Sequence, residues 1–150
     1  AKGAANGPED VIAGADGALW TGMADGAIRR LAMDGKLETI AHTGGRPLGL
    51  RFHPDGRLII ADARKGLLAM SPAGQLETLL TEAGGVKLGF TDDVDVSSTG
   101  IIYFSDASSK FGYGRELLDV LEGAGHGRLI AFDPRNRQAT VLLSGLGFAN

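Results

Sequence analysis

Two pairs of adjacent carboxylates, Glu9-Asp10 and Asp92-Asp93, are the residues of this chain best suited to chemistry. Each stands at the same place relative to a tight-turn signal. Asp10 lies six residues before Asp16-Gly17, and Asp93 lies six residues before Thr99-Gly100. Leu48-Gly49 occupies the equivalent place before Asp55-Gly56. The turns follow one another at 39 and 44 residues. A period near 40 residues with several short strands per period is the signature of a β-propeller, in which equivalent positions of successive blades meet about one axis. Glu9, Asp10, Asp92 and Asp93 are therefore expected to converge. Converging carboxylates repel unless protons or a cation neutralise them, which points to a hard, oxygen-preferring metal ion. Taken singly, each acid has a plainer role, capping a turn or accepting backbone N–H bonds.

The elements that must position these residues can be read from turn chemistry. Strands are expected near 9–14, 18–23, 27–32 and 36–41, separated by Asp16-Gly17, Asp25-Gly26 and Asp34-Gly35, because Asp-Gly is a strong hairpin signal. A second set falls near 47–53, 57–62, 66–71 and 75–80, and a third near 92–97, 101–106, 127–133 and 138–143. The fold class is all-β: three propeller blades over about 8–44, 46–84 and 90–145, with residues 146–150 beginning a fourth inner strand. The run Ile101-Ile102-Tyr103-Phe104 reads as a strand buried on both faces. Within the third blade, residues 107–126 form an insert. Its Glu116–Glu122 stretch reads as a short amphipathic helix closed by Gly123, serving either as a lid over the channel or as packing for the next blade. Three blades leave two free faces, so the ring needs a C-terminal half or a second copy of the chain.

The bulk composition is compatible with this. The chain has 150 residues, 43% hydrophobic and 22% charged, with 24 glycines, the profile of a turn-rich globular domain. A net charge of −3 without a basic cluster argues against a nucleic-acid partner. The absence of cysteine excludes disulfides and thiolate metal sites. No apolar run is long enough to span a bilayer as a helix, and nothing assigns a compartment. His42, His53 and His126 lack zinc-ligand spacing. Ser108-Ser109 lie in no nucleophile elbow. Asp62 and Asp106, at the ends of second strands, read as turn or hydrogen-bonding residues, and Trp20 as inter-blade packing.

The segments Gly7-Pro8-Glu9-Asp10-Val11, Gly45-Arg46-Pro47-Leu48-Gly49-Leu50, Thr91-Asp92-Asp93-Val94-Asp95-Val96, Ile102-Tyr103-Phe104-Ser105-Asp106, Gly125-His126-Gly127-Arg128-Leu129 and Phe148-Ala149-Asn150 occur in this order. Together they resemble the strictosidine synthase-like family, related to the paraoxonase and gluconolactonase (regucalcin-type) six-bladed, calcium-dependent propellers, with this chain matching an N-terminal half. The resemblance implies a catalytic Ca2+ held by Glu9, Asp92 and Asn150. It also implies a second Ca2+ held by Asp10, Asp93 and the carbonyl of Leu50. It implies a lactonase or arylesterase acting on a small ester or lactone, with Asp92 or Asp93 activating water. Paraoxonases have Asn where this chain has Asp92, and His where it has Leu48; Leu48 cannot move protons, so a His-based mechanism is not expected. Phe111, Tyr113 and His126 are expected to line a substrate pocket, the alternative for Phe111 and Tyr113 being that they simply anchor the insert. The alternative is a non-catalytic propeller fragment or interaction scaffold.

Overall fold

The computed structural model describes residues 6–150. Three four-stranded antiparallel sheets follow one another, each a simple meander. The first comprises β1 (Val11–Ala13), β2 (Leu19–Gly22), β3 (Ala27–Leu31) and β4 (Leu37–His42). The second comprises β5 (Pro47–Phe52), β6 (Leu58–Asp62), β7 (Gly66–Met70) and β8 (Leu76–Leu80). A small hairpin, β9 (Glu82–Ala83) and β10 (Val86–Lys87), precedes the third sheet, which is built from β11 (Thr91–Val96), β12 (Ile102–Asp106), β13 (Gly127–Asp133) and β14 (Gln138–Leu146). Each sheet is a propeller blade, and the blades stack face to face.

The Asp-Gly turns work as their chemistry predicts. Asp16, Asp25, Asp34 and Asp55 each accept a hydrogen bond from the backbone N–H two residues on, which closes the hairpin on the aspartate itself. The following Gly17 and Gly56 take φ of 78° and 91°, a conformation that a Cβ resists.

The stacking explains the burial pattern. On β6, Leu58 and Ile60 point into the core shared with blade one, beside Ile12, Ile28 and Trp20. Ile59 and Ala61 point the other way, into the core shared with Val94, Ile102, Phe104, Ile130 and Phe132 of blade three. The middle blade is therefore buried on both faces, which is why β6 and β7 read as unbroken apolar runs. The 101–104 run does not fill that role. Ile102 and Phe104 are buried, but Tyr103 between them is 39% exposed, because blade three has a neighbour on one side only. Blade one presents its own free face, where the cross-strand partners Leu19, Leu31 and Leu37 are exposed together with Val11.

Strand positions agree with expectation to within one or two residues except at three places. β1 is shorter, and Glu9-Asp10 precede it. β14 runs to Leu146, so that residue closes blade three, and residues 147–150 lie outside any strand. The β9–β10 hairpin was not anticipated; Gly84-Gly85 between its strands is the signal that marks it.

The insert contains the expected helix, α1 (Glu116–Glu122), capped by Gly123 in the left-handed conformation. Among the described residues of these three blades its apolar side has no partner. Leu117, Leu118, Val120 and Leu121 are all exposed, and the one buried helix residue is Asp119. Asp119 accepts a 2.6 Å hydrogen bond from the buried Ser108 hydroxyl, so a polar latch rather than an apolar face fixes the helix.

Candidate functional site

The inner strands of blades two and three carry the same irregularity. Pro47 pairs with Asp62 and Leu50 with Ile60, so Leu48-Gly49 together oppose the single residue Ala61. Likewise Thr91 pairs with Asp106 and Val94 with Phe104, so Asp92-Asp93 oppose Ser105. Two residues facing one is a β-bulge, a device that re-aims side chains. In blade one, Glu9-Asp10 occupy the corresponding place just ahead of β1.

These positions meet. Glu9, Asp10, Leu48, Gly49, Asp92, Asp93 and Asn150 line one open depression of about 230 Å3. Gly49 is what allows the approach: a Cβ there would stand 2.8 Å from the Cα of Asp93 and the nitrogen of Val94, and 2.9 Å from the carbonyl oxygen of Asp92.

Electrostatics in the depression follow from this crowding. Burial, then the negative charge of Glu9, then that of Asp93 push the Asp92 carboxyl up to about 6. Asp92 is 8% exposed. No hydrogen bond donor among the described residues offsets the burial of its carboxylate. Its neighbours are engaged differently. Glu9 receives Arg46 at 3.3 Å, and Arg46 also donates to the carbonyl of Gly7 at 2.7 Å. Asp10 accepts the backbone N–H of Leu50 at 3.0 Å. The Leu50 N–H is thus tied to Asp10, and the Leu50 side chain belongs to the core between blades one and two.

Because Asp92 holds its proton more tightly folded than unfolded, its ionisation opposes folding. The penalty is absent below the unfolded value near 3.8, grows as pH rises toward 6, and is complete above 6. Asp92→Asn is expected to stabilise the chain by about 2 kcal/mol at pH 7.5 in calcium-free buffer, with no gain at pH 3.5. Urea denaturation at the two pH values checks this, and a gain of equal size at both would refute the assignment.

Among the described residues no group of three or more His, Asp or Glu side chains is drawn together tightly enough to hold a metal ion. The donor chemistry nevertheless fits a hard cation: the depression offers carboxylates and an amide, all oxygen donors, and its most buried carboxylate lacks a donor.

The remaining expected site residues lie elsewhere on the same rim. Phe111 is buried, with the His126 ring 6.0 Å away, and His126 meets Glu122 at 3.3 Å. Tyr113 stands 6.0 Å from Phe90. None of the three lines the carboxylate depression. Among the described residues the one apolar side chain lining it is Leu48, which packs in a buried cluster with Ala63, Phe90, Ala107 and Phe148. Asp62 and Asp106 are fully buried hydrogen-bonding residues, as expected. Asp62 accepts the N–H groups of Arg46, Arg64 and Lys65. Asp106 accepts those of Gly89 and Phe90, and pairs with Arg128 at 2.5 Å. Sequence reasoning missed Arg46, whose position between Gly45 and the buried strand start Pro47 was the available signal.

Fold and depression together define a β-propeller with an acid-lined axial site. A strictosidine synthase family model matches residues 92–150, and a model of the strictosidine synthase-like N-terminal region matches residues 1–31. Strictosidine synthase-like protein 4 of Arabidopsis thaliana is 45% identical over 99% of this chain and 42% of its own length. The adipocyte plasma membrane-associated protein of Rattus norvegicus is 39% identical over 97% of this chain and 43% of its own length. Among solved structures, a gluconolactonase from Xanthomonas campestris superposes with a TM-score of 0.74 at 17% identity, over 93% of this chain and 48% of that one. The chain belongs to the strictosidine synthase-like family, and it spans under half the length of these curated relatives. No helix among the described residues is long and apolar enough to cross a membrane.

Proposed function

We propose that this chain carries part of the machinery of a calcium-dependent hydrolase of the lactonase or arylesterase type, complete when further blades close the ring. The observation that carries the reading is the convergence of Glu9, Asp10, Asp92, Asp93 and Asn150 on one depression. The gluconolactonase with the same fold supports the lactone class. Glu9, Asp92 and Asn150 would hold the catalytic ion; Asp10, Asp93 and the Leu50 carbonyl would hold a second. A calcium ion held there would supply Lewis acidity for the oxyanion of an ester or lactone carbonyl.

The protein side of the chemistry rests on named groups. Asp92 or its neighbour Asp93 would take the proton from the attacking water. Leu48 excludes water from one side of the depression. Arg46 holds Glu9 in place and is the group that must yield Glu9 to a cation. The free faces of blades one and three, with exposed Leu19, Leu31 and Leu37 on one and Tyr103 and Leu143 on the other, favour completion by a C-terminal half or by a second copy.

Calcium titration of the chain and of Glu9→Gln, with turnover of a simple lactone followed in parallel, tests the reading. Glu9→Gln is expected to weaken calcium binding on the order of tenfold or more. Unchanged affinity together with unchanged turnover would sink it. Light scattering on the same samples reports whether a second copy completes the ring.

A further inference from the structure

We infer that the rim carries a second, cationic site that binds a phosphate-type oxyanion, in the cleft between the β6–β7 turn and the β9–β10 hairpin. Ten of the fourteen described Lys and Arg side chains are in ion pairs. The other four, Arg64, Lys65, Lys87 and Arg115, lie on one rim, and three of them line one cleft of about 220 Å3. That concentration is unexpected in a chain of net charge −3, since like charges gathered without counter-charge repel. Glu82 is the one acid in the lining, and Thr81 adds a hydroxyl.

Both walls of the cleft are held rigidly by buried groups. The N–H groups of Arg64 and Lys65 bind the fully buried Asp62 at 2.9 and 3.0 Å. Across the cleft, Arg128 donates to the carbonyls of Ala83 and Lys87 at 3.0 Å each and so clamps the hairpin. The cations are thus presented on fixed backbone, and an anion entering the cleft does not have to order it. The Arg64 guanidinium lies 4.6 Å from the centre of the Tyr113 ring, and Tyr113 leans on Phe90 of the buried cluster that also contains Leu48. A phosphate between Lys65 and Lys87 could therefore carry an apolar body against Tyr113, through the Arg64 guanidinium stacked on its ring. Three cations against one acid suit a doubly charged oxyanion better than a single carboxylate.

Calorimetric titration at fixed ionic strength in calcium-free buffer, with inorganic phosphate and phenyl phosphate as probes, tests this. Saturable binding of phosphate is expected, weakened about tenfold or more in Lys65→Gln/Lys87→Gln. Glu82→Gln is expected to tighten it. Lys36→Gln/Arg135→Gln, which removes paired cations elsewhere, is expected to leave it unchanged. Tighter binding of phenyl phosphate, lost in Tyr113→Leu, identifies an organic phosphate as the ligand; equal binding of the two probes identifies free phosphate. Absence of saturation, or equal weakening in the Lys36→Gln/Arg135→Gln control, overturns the proposal. All these side chains are at the surface, and thermal unfolding of each variant verifies that the fold is intact.

Discussion

Asp106→Ala is expected to destabilise the chain by about 3–5 kcal/mol, the range for removing one partner of a buried ion pair. Asp106 is fully buried, and Arg128 is 7% exposed. One carboxylate oxygen receives Arg128 through Nε at 3.0 Å and through its terminal nitrogen at 2.5 Å. The other receives the N–H groups of Gly89 and Phe90, both at 2.9 Å. Alanine leaves a guanidinium buried without its counter-ion and orphans two backbone donors, each of which costs free energy when it cannot reach water. The damage should also spread. Arg128 clamps the β9–β10 hairpin, and Phe90 packs in the buried cluster that contains Leu48, so both lose their anchor. Adding Arg128→Met to Asp106→Ala should recover part of the loss, because the stranded charge is gone. Urea unfolding of the three variants measures this. A loss below 1 kcal/mol for Asp106→Ala, or strict additivity in the double variant, contradicts it.

Gly49→Ala is the second large effect, with an expected loss of about 1–3 kcal/mol from overpacking. The added Cβ would meet Asp93 Cα, Val94 N and Asp92 O between 2.8 and 2.9 Å. All three are backbone atoms of β11, so no side chain can swing aside. The inner strands of blades two and three must part, and the carboxylate depression widens with them. The calcium affinity proposed for the depression should fall along with stability. Gly147→Ala is the control: its Cβ meets nothing within 4 Å, and its φ is not positive. Equal melting temperatures for the Gly49→Ala variant and the unaltered chain would remove the close approach from the account of the site.

Much of the architecture was legible because it is local. Asp-Gly turns close on their own aspartate, so strand ends could be placed without knowing what the strands pack against. Helix α1 was visible from Gly123 and the flanking pattern. What was misjudged depended on neighbours. The apolar pattern of 117, 118, 120 and 121 says that a helix forms; that its polar side is latched to the third blade by the Ser108–Asp119 hydrogen bond is a tertiary fact. The 101–104 run looked doubly buried because apolar residues are common in strands with one buried face too. Phe111, Tyr113 and His126 lie in the insert as expected, while the side chains that line the depression come from positions 9–10, 48–49, 92–93 and 150.

The order of residues alone determined the three-fold recurrence of turn and strand, with acids at the equivalent place in two of the three repeats, since turn geometry and side-chain alternation are settled within a few residues of chain. It therefore foretold that positions 9–10, 48–49 and 92–93 are equivalent. Only the tertiary structure decided what those positions do. The bulges at Leu48-Gly49 and Asp92-Asp93 turn them toward one depression, burial and the Glu9 charge raise Asp92 to about 6, and Arg46 occupies Glu9. Those outcomes depend on distances between atoms remote in the chain, and electrostatic energy varies with such distances and with burial, neither of which is written in local sequence.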